Sequence, residues 1–175
     1  MTQLIITVLA IALTALTVLA SLNYLPWWYQ GAADTDHFLR GGMGALERGY
    51  KTLARDNAGV PPAVTADTDG GFETNFRPLL RLLPNAPEGY SWSYHQRPMD
   101  GSLWEGLNYF CLSAPAGGAT IAEWKGVKRA TALYSSEQAV VSDVCGASVN
   151  AATPTGFPAP FALTFYVTYV PGVDG

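Results

Sequence analysis

The sequence predicts an α+β protein, with a long N-terminal helix followed by a head that mixes strands and shorter helices. Three observations carry this. Residues 1–33 hold no charged side chain, so all 10 Lys+Arg and all 14 Asp+Glu of the 175-residue chain fall between Asp34 and Asp174. Leu39, Met43, Leu46, Tyr50 and Leu53 then follow at spacings of 4, 3, 4 and 3, a narrow apolar seam on an otherwise polar helix. Near the C-terminus, Phe161, Leu163, Phe165, Val167 and Tyr169 alternate with Ala162, Thr164, Tyr166, Thr168 and Val170, the period-two pattern of a strand. An apolar content of 49% against 14% charged is thus one domain plus a local apolar excess.

The excess sits at the start. Leu4–Leu25 is a 22-residue apolar run, and at about 1.5 Å per residue it spans roughly 33 Å, enough to cross the hydrocarbon core. A cleaved signal peptide is the competing reading, because Val18-Leu19-Ala20 ahead of Ser21 fits the small-residue rule for cleavage. Against it, no Lys or Arg precedes the run, and the run exceeds the usual core of about 7–15 residues. A retained membrane helix is the expectation, and the lack of any positive residue between Leu25 and Arg40 permits export of the chain beyond the helix. Ala10, Thr14, Thr17 and Ser21 recur at i, i+4, i+7 and i+11 as a face of small residues, which lets helices approach closely in lipid; composition alone also accounts for the stripe. Pro26, Trp27, Trp28 and Tyr29 then suit a kink or break and an aromatic belt at the membrane surface.

Asp34 or Asp36 can cap the second helix, which carries the seam, and Asn57-Ala58-Gly59 followed by Pro61-Pro62 ends it. Gly41, Gly42, Gly44 and Gly49 each weaken it by up to about 1 kcal/mol relative to Ala, so it needs a partner, most simply the downstream domain. The organisation expected is 1–28 for the membrane and assembly helix, 29–57 for its amphipathic continuation and 58–175 for an exported head. Within the head a short helix is expected around Thr74–Leu83, strands at Tyr90–Gln96, Leu107–Leu112 and Ala139–Val144, a helix over Thr120–Tyr134, and the strand Phe161–Val170.

A net charge of −4, read as having no Lys/Arg cluster, argues against nucleic acid as a partner. Cys111 and Cys145 are the only cysteines; in an exported head they pair, and in a reducing compartment they are buried thiols. Neither His37 nor His95 lies near them in sequence, which disfavours a metal site. Asp67-Thr68-Asp69-Gly70-Gly71-Phe72-Glu73 has carboxylates enough to suggest calcium but lacks the later ligands of a binding loop, and a solvated turn accounts for it better. His95 has no serine in a strained elbow to serve, and Glu88, Glu105 and Glu123 are too scattered to assign as a catalytic pair. No cofactor, metal or catalytic activity is expected. Tyr90, Trp92 and Tyr94 fall on one strand face, where aromatic residues are usually core and otherwise form a recognition surface.

The order of these parts resembles a type IV pilin-like protein, of the type IVb or conjugative minor-pilin kind. The resemblance rests on the apolar helix opening at Met1-Thr2, Pro26 near the kink, the Leu39–Leu53 seam, the stretch from Trp124-Lys125-Gly126-Val127-Lys128-Arg129-Ala130 to Val144-Cys145-Gly146, and Cys111 with Cys145 in the head. It implies a long helix packed on an antiparallel β-sheet head, a head disulfide and partnership with other pilin subunits. It also implies residence in the bacterial inner membrane with a periplasmic head, then in an extracellular pilus. Two features depart from the family. Its processed leader is not in this sequence, which is read either as starting at the mature residue or as no such substrate. Ile5 stands where the family usually carries a glutamate, thought to meet a neighbouring amine, so the resemblance favours an accessory or tip subunit over the shaft subunit. The alternative from another class is a periplasmic ligand-binding module on a simple membrane anchor.

Overall fold

The computed structural model describes residues 7, 8, 10–17, 27–78, 80, 83, 86–97 and 106–169. Residues 7, 8 and 10–17 are helical. The remainder of Leu4–Leu25, including Ser21, lies outside the described residues, as do Pro26 and the side chains of the Trp27–Tyr29 belt. Among the described residues no helix is long and apolar enough to cross a membrane.

Helix α1 runs over Trp27–Asp56, thirty residues, and starts well before the aspartates expected to cap it. Asp36 is instead mid-helix, paired with Arg40 one turn on, while Asp34 faces solvent. The seam explains why the helix tolerates its glycines: Leu39, Met43, Leu46 and Tyr50 are buried in the core, Leu53 is partly buried, and Ala32, Ala45 and Ala54 widen the buried stripe. Gly42 approaches Trp92 and Gly49 approaches Leu80, so these two glycines serve contact with the head. The helix closes in a left-handed turn. Gly59 N–H donates to Ala54 O (2.7 Å) and Ala58 N–H to Arg55 O (3.2 Å), with φ of 57° at Ala58 and 87° at Gly59.

The head is a four-stranded antiparallel sheet of order β1-β2-β4-β3, from Ser91–Gln96, Asn108–Ser113, Ala139–Ser142 and Ala162–Val167. All four expected strands are present, the last shorter than Phe161–Val170. One face meets the helices through Trp92, Tyr94, Phe110, Leu112, Ala139, Val141, Leu163, Phe165 and Val167. The other carries Tyr109, Cys111, Val140, Ala162 and Tyr166. The central strands β2 and β4 are therefore buried on both faces, while edge strand β1 is buried on one.

The expected helix Thr74–Leu83 shrinks to a single turn, α2, at Phe72–Asn75. Pro78 has no N–H to extend the ladder, and Arg77 N–H closes the turn on Phe72 O. Phe72 and Phe76 still reach the core, where Phe76 lies 4.7 Å from Tyr94 and 4.8 Å from Phe110 between ring centres. Helix α3, Ile121–Thr131, opens with a capping box in which Thr120 and Glu123 satisfy each other's backbone N–H groups. It crosses α1 at close range: a Cβ on Gly126 would stand 2.6 Å from both Ala32 O and Thr35 Cβ.

Cys111 and Cys145 form a disulfide with Cα atoms 5.8 Å apart. Closing this 34-residue separation contributes roughly 3–4 kcal/mol in the chain-entropy picture. It also folds the segment after β3 over the second sheet face, where Gly146 N–H donates to Thr164 Oγ1 (2.9 Å) and Arg97 donates to Gly146 O (2.8 Å).

Candidate functional site

The N-terminal helical segment presents a surface that the rest of the described chain leaves uncovered. Val8, Ile11, Leu13 and Leu16 are 59–64% exposed. Ala10, Thr14 and Thr17 line one side of it, and the threonine hydroxyls are satisfied internally. Thr14 Oγ1 lies 3.0 and 2.9 Å from the carbonyls of Ala10 and Ile11, and Thr17 Oγ1 donates to Thr14 O at 2.9 Å. Such a face enters an apolar environment without stranding a polar group. Ser21, the fourth member, lies outside the described residues.

Of the two readings of Tyr90, Trp92 and Tyr94, core or recognition surface, their burial favours the core. Alternation along β1 sends Trp92 and Tyr94 towards the helices and leaves Ser91, Ser93 and His95 on the other face. Tyr94 hydroxyl donates to Pro62 O (3.0 Å), and burial pushes its pKa far up. Tyr90 is raised as well, by burial first and the nearby Glu123 carboxylate second. No partner of Trp92 Nε1 is found among the described residues.

The other candidate groups have quiet structural explanations. Asp69 organises its turn, with Oδ1 accepting from Gly71 N–H (2.9 Å) and Oδ2 from Glu73 N–H (2.8 Å). Its pKa is lowered, chiefly by the Glu73 N–H. Among the described residues no group of three or more His, Cys, Asp or Glu could hold a metal. Ser93 Oγ and His95 Nε2 are 2.8 Å apart, the separation of a nucleophile and its base. Burial lowers the imidazole pKa while the charge of Asp69 opposes that shift. Asp69 already commits both oxygens to backbone donors, and two grooves on the head, one beside α3 and one along β1, are lined by neither Ser93 nor His95. Glu123 serves the α3 cap, Glu88 is exposed, and Glu105 lies outside the described residues.

The first of these grooves, about 420 Å³, runs between α3 and the proline-rich segment before β4. Ile121, Trp124 and Phe157 form its apolar lining, with Lys125, Lys128 and Arg129 beside them. Lys128 Nζ sits 5.8 Å from the centre of the Trp124 ring. The second, about 490 Å³, lies along β1 and includes Asp69, Glu73, Arg77, Tyr90 and Trp92. Three of the chain's ten cations thus gather on one helix, a concentration that the overall charge balance conceals. The spacing Lys125, Lys128, Arg129 on a helix is the signal that could have revealed it.

No protein-family profile, curated protein or solved structure matches this chain.

Proposed function

We propose that the protein is a structural subunit of a type IV pilus-like filament, of the minor or tip kind, assembled through its N-terminal helix. The observation that carries this is the uncovered apolar helix ahead of an α+β head. Val8, Ile11, Leu13 and Leu16 have no partner within the described chain sufficient to bury them, whereas Leu39, Met43, Leu46 and Tyr50 of the α1 seam are buried in the head. A hydrocarbon phase before assembly and sister helices afterwards answer that need in turn. The internally bonded hydroxyls of Thr14 and Thr17 suit both environments, and the disulfide suits an exported head. The function is polymerisation or capping rather than turnover.

The groove beside α3 favours one second reading, a periplasmic ligand-binding module on a membrane anchor. Replacing Ala10, Thr14, Thr17 and Ser21 together by Leu separates the two. For a filament subunit the full-length variant still inserts in membranes but no longer enters sedimentable filaments. Unchanged filament incorporation would overturn the assembly reading.

A further inference from the structure

Two stretches of the head carry opposite charge, although Arg77 pairs with Glu73 at the acidic one and Glu123 caps α3 at the basic one. Between Arg55 and Arg77 the chain carries Asp56, Asp67, Asp69 and Glu73 and no cation; between Trp124 and Ser136 it carries Lys125, Lys128 and Arg129 and no carboxylate. The acidic stretch is tied to the outer edge of β1, because Tyr94 N–H, pointing away from β2, donates to Asp69 O at 2.8 Å. Asp67 and Glu73 face solvent there. The basic groove lies towards the opposite edge. The segment forming its outer wall, Thr153 to Phe157, comes just after Ala151, whose N–H donates to Val141 O on the free side of β3.

We infer that the α3 groove receives the acidic turn of a second copy of this chain, Asp67 to Glu73, in a head-to-tail contact. The two surfaces stand on opposite edges of one sheet and cannot meet within a molecule. Placed side by side, successive copies bring them together. A contact between two different patches propagates instead of closing as a dimer would. The groove combines the two features such a contact needs. Trp124 and Phe157 give it an apolar floor, and its three cations oppose the carboxylates of the turn. The turn is preorganised: Gly70, at φ 67°, packs where a Cβ would stand 1.7 Å from Tyr94 O, and Asp69 bonds two N–H groups. Its shape therefore does not have to form on contact. This deepens the proposed function by naming the contact between heads, and it rests on that reading for the parallel arrangement of copies.

The test uses the full chain reconstituted in lipid vesicles, with chemical cross-linking read as multimers. Lys125→Glu with Lys128→Glu makes a groove-reversed chain, and Asp67→Lys with Glu73→Lys makes a turn-reversed chain. Each alone is expected to lower multimer yield about tenfold or more through like-charge opposition. Mixing the two, or combining all four substitutions in one chain, restores the yield. Near-native yield for either reversed chain alone overturns the inference, as does failure of the mixture to recover while the four-substitution chain remains folded by circular dichroism. Adhesion of vesicles carrying the native full chain to anionic vesicles, lost in the groove-reversed chain without any change in multimers, also overturns it in favour of a lipid surface. The assembly reading fails separately: multimers that ignore the four Leu substitutions at Ala10, Thr14, Thr17 and Ser21 count against the helix while leaving the contact between heads standing.

Discussion

Leu39, Met43 and Leu46 on α1 and Val8, Ile11, Leu13 and Leu16 on the segment before it are the same kinds of side chain on the same kind of backbone. The first three have no solvent exposure, and the other four keep about three fifths of theirs. Full burial of such a side chain contributes roughly 1.5–3 kcal/mol. The chain gains this over α1 by laying the seam on its own sheet. Over the N-terminal segment the apolar area stays exposed. One helical region therefore serves the stability of the head, the other serves association in the function proposed above, and substitutions sort them by which measurement they move.

The largest effect is expected in the seam. Leu46→Ala leaves a cavity among buried neighbours and should cost about 2–5 kcal/mol in denaturant unfolding of the detergent-solubilised chain, while Leu16→Ala should stay within about 0.5 kcal/mol in the same assay. Comparable losses at the two positions would erase the distinction. Gly126→Ala comes next. Its methyl group would press on the α1 backbone at Ala32 O and Asp36 N rather than on a flexible side-chain tip, for a loss of about 1–3 kcal/mol by overpacking. Gly41→Ala, with open space at its Cβ, is the matched control and should leave the head no less stable.

The smallest effect concerns acid. Asp69 has a folded pKa below its ordinary 3.8, so its contribution is present above that value and is lost as pH falls through the folded pKa. His95 is held below 6.5 by burial, so the unfolded chain takes up its proton first and head stability declines as pH drops from about 6.5 towards the folded value. Asp69→Asn should flatten the lower limb of the stability–pH curve and His95→Gln the upper, the latter without altering multimer formation at neutral pH. A limb that keeps its slope in the matching variant would assign that acid sensitivity to other groups.

Much of the architecture was legible because burial leaves periodic traces. The 4-3-4-3 seam marked the face α1 buries, alternation marked β1 and β4, and two cysteines in an exported head suggested the bridge that the structure contains. What was hidden depends on contacts distant in sequence. The capping role offered for Asp34 and Asp36 failed because both lie inside α1, which begins at Trp27 and packs closely on α3 at Gly126. The inward direction of Tyr90, Trp92 and Tyr94 required knowing which face of β1 the helices cover. The capping box at Thr120 and Glu123 is an exception, a T-x-x-E pattern whose local signal went unused. The α3 groove needs Phe157 and Thr153, some thirty residues beyond the helix start, and no local pattern announces them.

The central claim is that the apolar opening stays on the working protein and is housed among lipid or sister helices. Intact-mass and N-terminal peptide analysis of the native protein, recovered from membranes and from sheared filaments, tests it directly. The account predicts that both fractions retain the residues from Leu4 through Ala20. A native amino end at Ser21 in the filament or membrane fraction would contradict it.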